Sequence, residues 1–305
     1  MDGEAARLSI SEALSTAEGL VKAPLLHKGK VRELYDIGEF LLIVVTDRIS
    51  AFDYVLDPPV PDKGRVLNGL SAYWFERTAG IQKNHVVHTD AELLGDLVKE
   101  PEKLAGRIMV CRKAKRIDIE CVVRGYITGG GWRQYTATGE VNGIALPEGL
   151  RKNGKLEQPI FTPAGKNDVG HDEDIPFEEM ARRVGRELAE ELRERSLRLY
   201  EAGRDFCAER GIILADCKFE FGLLEGGEVI LIDELFTPDS SRFWAKEKYA
   251  LDVEIDSMDK EPVRTYLSGS DWDKNSPPPR LPDSVVEETS ARYKEIYRRL
   301  TEQRV

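Results

Sequence analysis

The first third of the chain alternates short apolar runs with turn residues, a pattern typical of β-strands. The run KVRELYDIGEFLLIVVTD predicts a hairpin that turns near Gly38, and RIMVCRKA predicts a further strand. A third apolar run, residues 119–127, fits either a strand or the start of a helix. Strands joined as hairpins pair antiparallel, so this part of the chain predicts an antiparallel sheet.

The second half of the chain has helical periodicity. A stretch rich in glycine and polar residues comes first, and its middle, residues 139–165, predicts an excursion over the surface. A single long helix ending at Gly211 is then predicted by apolar residues at spacings of four, four and seven, namely Val184, Leu188, Leu192 and Leu199. The tail predicts helices over residues 259–267 and 283–300. We therefore expect an α+β protein of two lobes, residues 1–112 and 113–305, with a cleft between them.

Composition and charge narrow the class of protein. Of the 305 residues, 41% are hydrophobic and 32% are charged, which suits a globular protein. No apolar run is long enough to span a bilayer and the N-terminus has no secretory pattern, so we expect a cytoplasmic protein. The net charge of -11 argues against a nucleic-acid partner. The four cysteines form no CxxC pair, and we expect buried, reduced thiols.

The segment ILADCKFEFGLLEGGEVILIDELF predicts a charged hairpin around a Gly226–Gly227 turn. Its first strand carries Asp216, Lys218 and Glu220 on one face, because side chains two apart in a strand share a face. A two-residue turn would place Glu220 directly opposite Asp233, where like charges repel. Two such carboxylates suit Mg²⁺ or Mn²⁺. The spacing is equally compatible with Lys218 neutralising the pair on a solvated face.

Two further segments are candidate phosphate sites. HKGKVREL alternates Lys28, Lys30 and Arg32 along a predicted strand face beside a glycine, which suits a polyphosphate. The alternative is an edge strand protected by lysines.

DSSRFW and VVRGYITGGGW are candidates for a phosphate monoester. The first combines Asp239, Ser240 and Arg242, and the second places Arg124 before three glycines. The alternatives are a helix N-cap with a nearby arginine and a flexible turn.

Seven segments taken together resemble one family. They are, in chain order, GKVRELYDIG, TDRISAFDYVL, IECVVRGYITGGGW, HDEDI, ILADCKFEFG, DELFTPDSSRFW and LPDSVVEETSARY. They are similar to motifs of the phosphoribosylaminoimidazole-succinocarboxamide synthases, the SAICAR synthetases of purine biosynthesis. The resemblance implies a two-lobed α+β fold related to protein kinases, with an antiparallel-sheet ATP-binding lobe and a helix-rich catalytic and substrate lobe.

The activity that this resemblance implies is an ATP-dependent ligation with Mg²⁺. It joins L-aspartate to the carboxylate of carboxyaminoimidazole ribotide (CAIR) through an acyl phosphate, giving SAICAR, ADP and phosphate. Small molecules would be the only partners, without nucleic acid or membrane, and we prefer a monomer to a homodimer. A small-molecule kinase on the same fold and an inactive nucleotide-binding module remain as alternatives.

The resemblance also implies residue roles. Catalysis falls to Lys218, Glu220 and Asp233, of which Glu220 and Asp233 hold the metal. ATP binding falls to Lys28, Lys30, Arg32, Lys113 and Asp233. Substrate binding falls to Ser50, Arg124, Gly130, Lys166, Lys218, Asp239, Ser240 and Arg242.

The chain departs from the family pattern at a few positions. Gly130 replaces a common serine, so backbone amides or a water must take the place of one hydroxyl at the ribotide phosphate. TPAGKND replaces the more usual TPSTKA, and Glu261 stands where glutamine is common. The HDED segment that begins at His171 lies on a loop that the family uses near the substrates, and we assign it no role.

Overall fold

The computed structural model describes residues 9–166 and 172–305. Helices α1 to α7 span Lys63–Arg77, Pro101–Leu104, Gly129–Thr138, Phe177–Val184, Arg186–Glu209, Glu261–Ser268 and Asp283–Thr301. Strands β1 to β16 span Leu25–Lys28, Arg32–Ile37, Phe40–Val45, Ile49–Ala51, Tyr54–Leu56, Val86–His88, Ile108–Arg112, Lys115–Tyr126, Glu140–Val141, Ile144–Ala145, Lys155–Phe161, Ala164–Gly165, Glu173–Asp174, Ile212–Leu223, Val229–Ile232 and Ser241–Ala245. Within this described part of the chain, no helix is both long and apolar enough to cross a membrane.

The chain forms two compact units, each with its own antiparallel sheet. The first unit contains residues 9–72, 86–113 and 260–305, and the second contains residues 73–85, 114–166 and 172–259. The predicted division after residue 112 falls next to one junction between the units. The C-terminal tail, which we assigned by sequence to the second lobe, groups with the first unit instead.

The first unit is built on a five-stranded sheet in the order β1-β2-β3-β7-β6. The predicted hairpin is confirmed: β2 pairs with β3, and Gly38 between them has a φ of 82° that favours glycine. The predicted strand RIMVCRKA is confirmed as β7. One core cluster of the unit includes Tyr35, Leu42, Val44, Ile108 and Val110. The two predicted tail helices are confirmed as α6 and α7.

The second unit is built on a sheet in the order β13-β12-β8-β14-β15, with β11 also paired to β8 and β16 to β14. The apolar run 119–127 is therefore a strand. Helix α5 packs against one face of this sheet, where the Tyr200 hydroxyl donates to the Leu214 carbonyl at 2.8 Å. A Cβ at Gly125 would lie 1.8 Å from that hydroxyl, so β8 needs glycine there. The opposite face carries Glu120 and Arg124 of β8 and Asp216, Lys218 and Glu220 of β14.

Three predictions about helices and loops are wrong or incomplete. The single helix predicted after Pro176 is two helices, because Gly185 interrupts the helix with a φ of 90°. The apolar spacing continues across this interruption, so it gave no sign of two helices. The predicted surface excursion contains strand β11, and the glycine-rich stretch before it begins helix α3. Helix α1, in the strand-rich first third, was not predicted. The four cysteines are buried and free, as predicted.

Candidate active site

The charged hairpin has a different register from the predicted one. Glu220 of β14 pairs with Ile232 of β15, and the strands are joined through a three-residue connection, Glu225–Gly227. A slip of one residue changes every directly opposed pair. The predicted pairing of Glu220 with Asp233 is therefore wrong. Asp233 follows the end of β15 and leaves the strand direction with a φ of 67°.

The residue directly opposite Glu220 is Glu120 on β8. Only 7% of Glu120 is exposed, and its two carboxylate oxygens accept hydrogen bonds from the Lys218 ammonium at 3.0 and 3.1 Å. Burial raises the pKa of Glu120 even though Lys218 opposes this effect. Our sequence prediction missed Glu120. Its signal was a lone carboxylate inside the apolar run IECVV.

Lys166 supplies a second ammonium to the same face. It follows β12, which pairs with β8 at Glu120, and its Nζ contacts the Glu220 carboxylate and lies 3.9 Å from Glu120. Burial alone would lower the pKa of Lys166, but the carboxylates of Glu220, Asp233 and Glu120 together raise it. We call Glu120, Lys166, Lys218, Glu220 and Asp233 the carboxylate–lysine cluster.

Lys218 carries the other ammonium of this cluster. Desolvation would lower its pKa, but the carboxylates of Glu120, Asp172 and Glu220 raise it, so the amine stays charged at neutral pH. The charge of Asp172, in the HDED segment, therefore acts on the cluster. His171 of the same segment lies outside the described residues.

The donor set of the cluster fits a hard divalent cation. In residues 9–166 and 172–305, no group of three or more histidine, cysteine or acidic side chains is arranged to hold a metal ion. Lys166 nevertheless contacts Glu220, and the negative charges of Glu220 and Asp233 raise the pKa of its ammonium, so this position favours a cation. Carboxylate oxygens are the ligands that Mg²⁺ prefers, and Mg²⁺ commonly takes only one or two of them besides substrate phosphates.

Two arginines meet on a neighbouring part of the same sheet. Asp216 of β14 is opposite Arg124 of β8 on one side and Arg242 of β16 on the other. Its Oδ2 accepts from Arg124 Nη1 at 3.2 Å and from Arg242 Nη1. Arg124 also donates through Nε to Thr162 Oγ1 at 3.0 Å. We call Arg124, Asp216 and Arg242 the two-arginine site.

Helix α3 begins beside this site. A Cβ at Gly129 would lie 2.6 Å from Arg242 Nη2, so the first turn of the helix approaches the guanidinium as closely as glycine permits. The first amide N–H groups of a helix have no partner within the helix, and they favour anions. Gly130 lies in this first turn. The two-arginine site therefore has both charges and backbone donors for a phosphate.

The DSSRFW segment passes beside Lys218 and leads into β16, so the alternative of a helix N-cap is wrong. The Lys218 N–H donates to the Ser240 carbonyl at 3.0 Å, and the Ser240 hydroxyl accepts from the Thr237 N–H at 3.2 Å. The Asp239 N–H donates to Thr237 Oγ1 at 3.2 Å. The segment thus connects the two-arginine site to the carboxylate–lysine cluster.

We predicted the cations of HKGKVREL on one strand, but they do not share one. Lys28 ends β1, Arg32 begins β2, and the chain reverses between them because the Gly29 N–H donates to the Arg32 carbonyl at 2.8 Å. Lys28 lies 3.7 Å from Glu33, and Lys30 in the turn contacts Asp53. The three cations therefore surround a turn of the first unit.

Two other predicted site residues also lie in the first unit. Lys113 Nζ is 2.8 Å from Asp36, and this contact lowers the pKa of the Asp36 carboxyl. Ser50 is in β4, and its carbonyl accepts from Lys260 Nζ at 3.2 Å.

The carboxylate–lysine cluster predicts a change in the titration of Lys218. In Glu120→Gln the amine loses the carboxylate that most raises its pKa, so its pKa should fall. The part of folding stability that depends on the raised pKa is present below the ordinary lysine pKa and disappears as pH rises through the raised one. NMR titration of the methylated Lys218 amine measures the shift. Glu225→Gln, on the exposed hairpin turn, is the control and should leave Lys218 unchanged.

The fold and the charges on this sheet define a class: an α+β protein with acidic, basic and backbone groups arranged for phosphorylated ligands. The structure resembles that of the SAICAR synthase from Saccharomyces cerevisiae complexed with SAICAR, with a TM-score of 0.84 and 37% identity over 93% of this chain and 96% of that one.

The sequence comparisons identify the family. The model of the SAICAR synthetase family matches residues 25–279, and the chain belongs to this family. A phosphoribosylaminoimidazole-succinocarboxamide synthase of Rhodopirellula baltica is 48% identical over 293 residues, covering 90% of this chain and 91% of the relative. The synthase of that name from Geobacter sp. (strain M21) is 49% identical over 282 residues, covering 91% and 94%. The resemblance inferred from the motifs is confirmed.

Proposed function

We propose that the protein joins L-aspartate to the carboxylate of CAIR, using ATP and giving SAICAR, ADP and phosphate. The observation that supports this function best is one sheet face that carries a two-arginine site beside the carboxylate–lysine cluster. Asp216 and Lys218 are two residues apart in β14, so the centres of the two sites are about 7 Å apart along the strand. One small substrate with a phosphate and a carboxylate suits this spacing.

The first chemical step makes the carboxylate of CAIR reactive. One of its oxygens forms a bond to the γ-phosphorus of ATP while the bond to ADP breaks, which gives an acyl phosphate. Lys218 would hold the substrate carboxylate and the transferring phosphoryl group, because its ammonium stays charged and Glu120 fixes its position. Phosphoryl transfer depends mainly on such positioning and charge neutralisation.

The second step forms the amide. The amine of L-aspartate forms a C–N bond to the acyl carbon, the bond from that carbon to the phosphate oxygen breaks, and the amine loses a proton. Phosphate therefore leaves with one oxygen that belonged to the CAIR carboxylate.

We assign Mg²⁺ binding to Glu220 and Asp233. When bound, the ion would neutralise negative charge on the phosphoryl group. Lys166 must first release the Glu220 oxygen that it contacts. Glu120, 3.9 Å from the same ammonium, offers Lys166 another carboxylate.

We assign the ribotide phosphate to the two-arginine site. Arg124 and Arg242 supply positive charge, and the first N–H groups of α3 supply donors at Gly130, where the family serine is missing. Asp239 and Ser240 belong to the segment that leads to Arg242. For the first unit, we assign the ATP phosphates to Lys28, Lys30 and Arg32, the adenine contact to the backbone near Lys113, and a substrate contact to Ser50.

Alanine at Lys30 or Arg32 should weaken the binding of ATP more than that of CAIR, because both cations would face the triphosphate. Titration calorimetry with each ligand measures the two affinities separately. Lys103→Ala, an exposed lysine in α2 of the same unit, is the matched control. Unchanged ATP affinity in both variants would leave this region as a protected sheet edge.

Product analysis with isotope-labelled substrate tests the reaction. With ATP, Mg²⁺ and L-aspartate, CAIR labelled with ¹⁸O in its carboxylate should give SAICAR, one ADP per amide and phosphate that carries one labelled oxygen. ADP release without aspartate, together with a stable phosphorylated substrate, would indicate the small-molecule kinase. Nucleotide binding without turnover would indicate an inactive module.

We also propose that the protein acts in the cytoplasm as a monomer. Light scattering at micromolar protein concentration, with and without ATP, measures the mass, and a value of twice 34.4 kDa would contradict the monomer.

A further inference from the structure

The turn that carries the first-unit cations is held by one arginine from another strand connection. Arg48 donates to the carbonyl oxygens of Gly29 at 2.9 Å, Lys30 at 2.9 Å and Arg32 at 3.4 Å. It makes a further bond of 2.6 Å to the Ser15 carbonyl. A single guanidinium therefore binds three carbonyls of the turn and one of a neighbouring segment.

Arg48 is itself fixed in position. It is only 8% exposed, and its Nη1 lies 2.8 Å from the carboxylate of Glu33, which is fully buried. Glu33 also accepts from the Tyr35 hydroxyl and the Ala17 N–H, each at 2.8 Å. Burial would raise the pKa of Glu33, but Arg48 and the other donors lower it, so the carboxylate stays charged. The guanidinium has little freedom to move away from the turn.

The bonds to these carbonyls determine where the neighbouring N–H groups point. In a planar trans peptide, the carbonyl of one residue and the N–H of the next point in opposite directions. Because Arg48 binds the carbonyls of Gly29 and Lys30, the N–H groups of Lys30 and Val31 point away from Arg48. Among residues 9–166 and 172–305, neither of these two N–H groups donates a hydrogen bond. Successive N–H groups of this kind form an anion-binding concavity.

A second residue, Thr46, fixes the next peptide of the same turn. The Val31 carbonyl accepts from both the N–H and the hydroxyl of Thr46, at 3.0 and 2.8 Å. All four carbonyls from Gly29 to Arg32 are thus bound by protein donors.

We propose that Arg48 is a positioning residue for the nucleotide phosphates, because it turns the Lys30 and Val31 N–H groups toward a bound polyphosphate beside the side chains of Lys28, Lys30 and Arg32. This role rests on the proposed use of ATP. Lysine cannot take it over, since an ammonium is a point donor while the guanidinium fork binds several carbonyls at once.

Arg48→Lys is the test, because it keeps the charge beside Glu33 and removes the fork. The Kd for ATP should rise about tenfold, which corresponds to about 1.4 kcal/mol, while the Kd for CAIR should stay unchanged. Arg299→Lys, on α7 and paired with Glu295, is the control and should change neither constant. Titration calorimetry gives both constants without turnover, so the test holds even if the ligation were not observed. Equal weakening of ATP and CAIR, or wild-type ATP affinity, would overturn the role of Arg48.

Thr46→Val is a milder variant in case Arg48→Lys does not fold. It removes the hydroxyl bond to the Val31 carbonyl and keeps the N–H bond, so the Kd for ATP should rise about twofold to threefold, with no change for CAIR. Inorganic tripolyphosphate, which has no adenine, should lose affinity by a similar factor. An unaffected tripolyphosphate Kd in both variants would also contradict the proposal.

Discussion

Glu220→Gln is expected to lower turnover by about a hundredfold or more, because a metal ion supplies several kcal/mol of stabilisation to the transition state. Glutamine keeps the size of the side chain, so the substitution removes only the charge that would hold Mg²⁺. Asp233→Asn should have a comparable effect, since both carboxylates act on the same cation position. The measurement is kcat for SAICAR formation at saturating ATP, CAIR and L-aspartate.

The folded protein without ligands should tolerate the change at Glu220. Its carboxylate attracts Lys166 but directly opposes Glu120, so losing it removes one favourable and one unfavourable contact. Because Lys166 keeps Glu120 as a nearby carboxylate, no buried ammonium is left unpaired, and the free energy of unfolding should change by only about 1 kcal/mol.

Thermal melts test this second half of the prediction. The rise in melting temperature on adding Mg²⁺-ATP should be smaller in Glu220→Gln, because weaker ligand binding stabilises the folded state less. Glu225→Gln is the control on the exposed turn. A Glu220 variant that melts much earlier without ligand and yet keeps near-normal turnover would show that the carboxylate is structural.

The composition of the charged face could be predicted from the sequence, but its pairing could not. Alternation along a strand is local, so Lys218 and Glu220 were correctly placed on one face. The register depends on the turn, and Gly226–Gly227 fits a two-residue or a three-residue connection. The partner Glu120 is 98 residues away from Lys218, and no local pattern reports such a pairing.

Glycines caused two further errors. HKGKVREL alternates like a strand, but Gly29 takes part in a reversal whose cause, the contact with Arg48, lies outside the segment. Gly129 and its neighbours suggested a loop, yet they begin α3. Position 129 is glycine because the close approach of Arg242 leaves no room for a side chain. In both places a distant arginine determines what the glycine does. The family motifs identified the fold because they reflect such contacts over the whole chain.

Replacing Arg242 should have the largest effect on substrate binding. Its side chain is about one-third exposed, whereas only 9% of the Arg124 side chain is exposed. A ligand can therefore reach Arg242 directly, while Arg124 is mainly held by Asp216 and Thr162. After Arg242→Ala, Asp216 keeps Arg124 as its partner, so no buried carboxylate is left unpaired.

Arg242→Ala should raise the KM for CAIR by about 30-fold or more, since losing a charged hydrogen-bond partner in a partly dry site costs about 2–4 kcal/mol. The KM for ATP should change little, because the arginine would bind only the ribotide phosphate. Arg242→Lys keeps the charge without the bidentate fork and should fall between the wild type and the alanine variant. Steady-state kinetics with each substrate varied in turn provide the comparison. If the KM for CAIR does not change in Arg242→Ala, the ribotide phosphate binds elsewhere, and the two-arginine site serves only to pair Asp216.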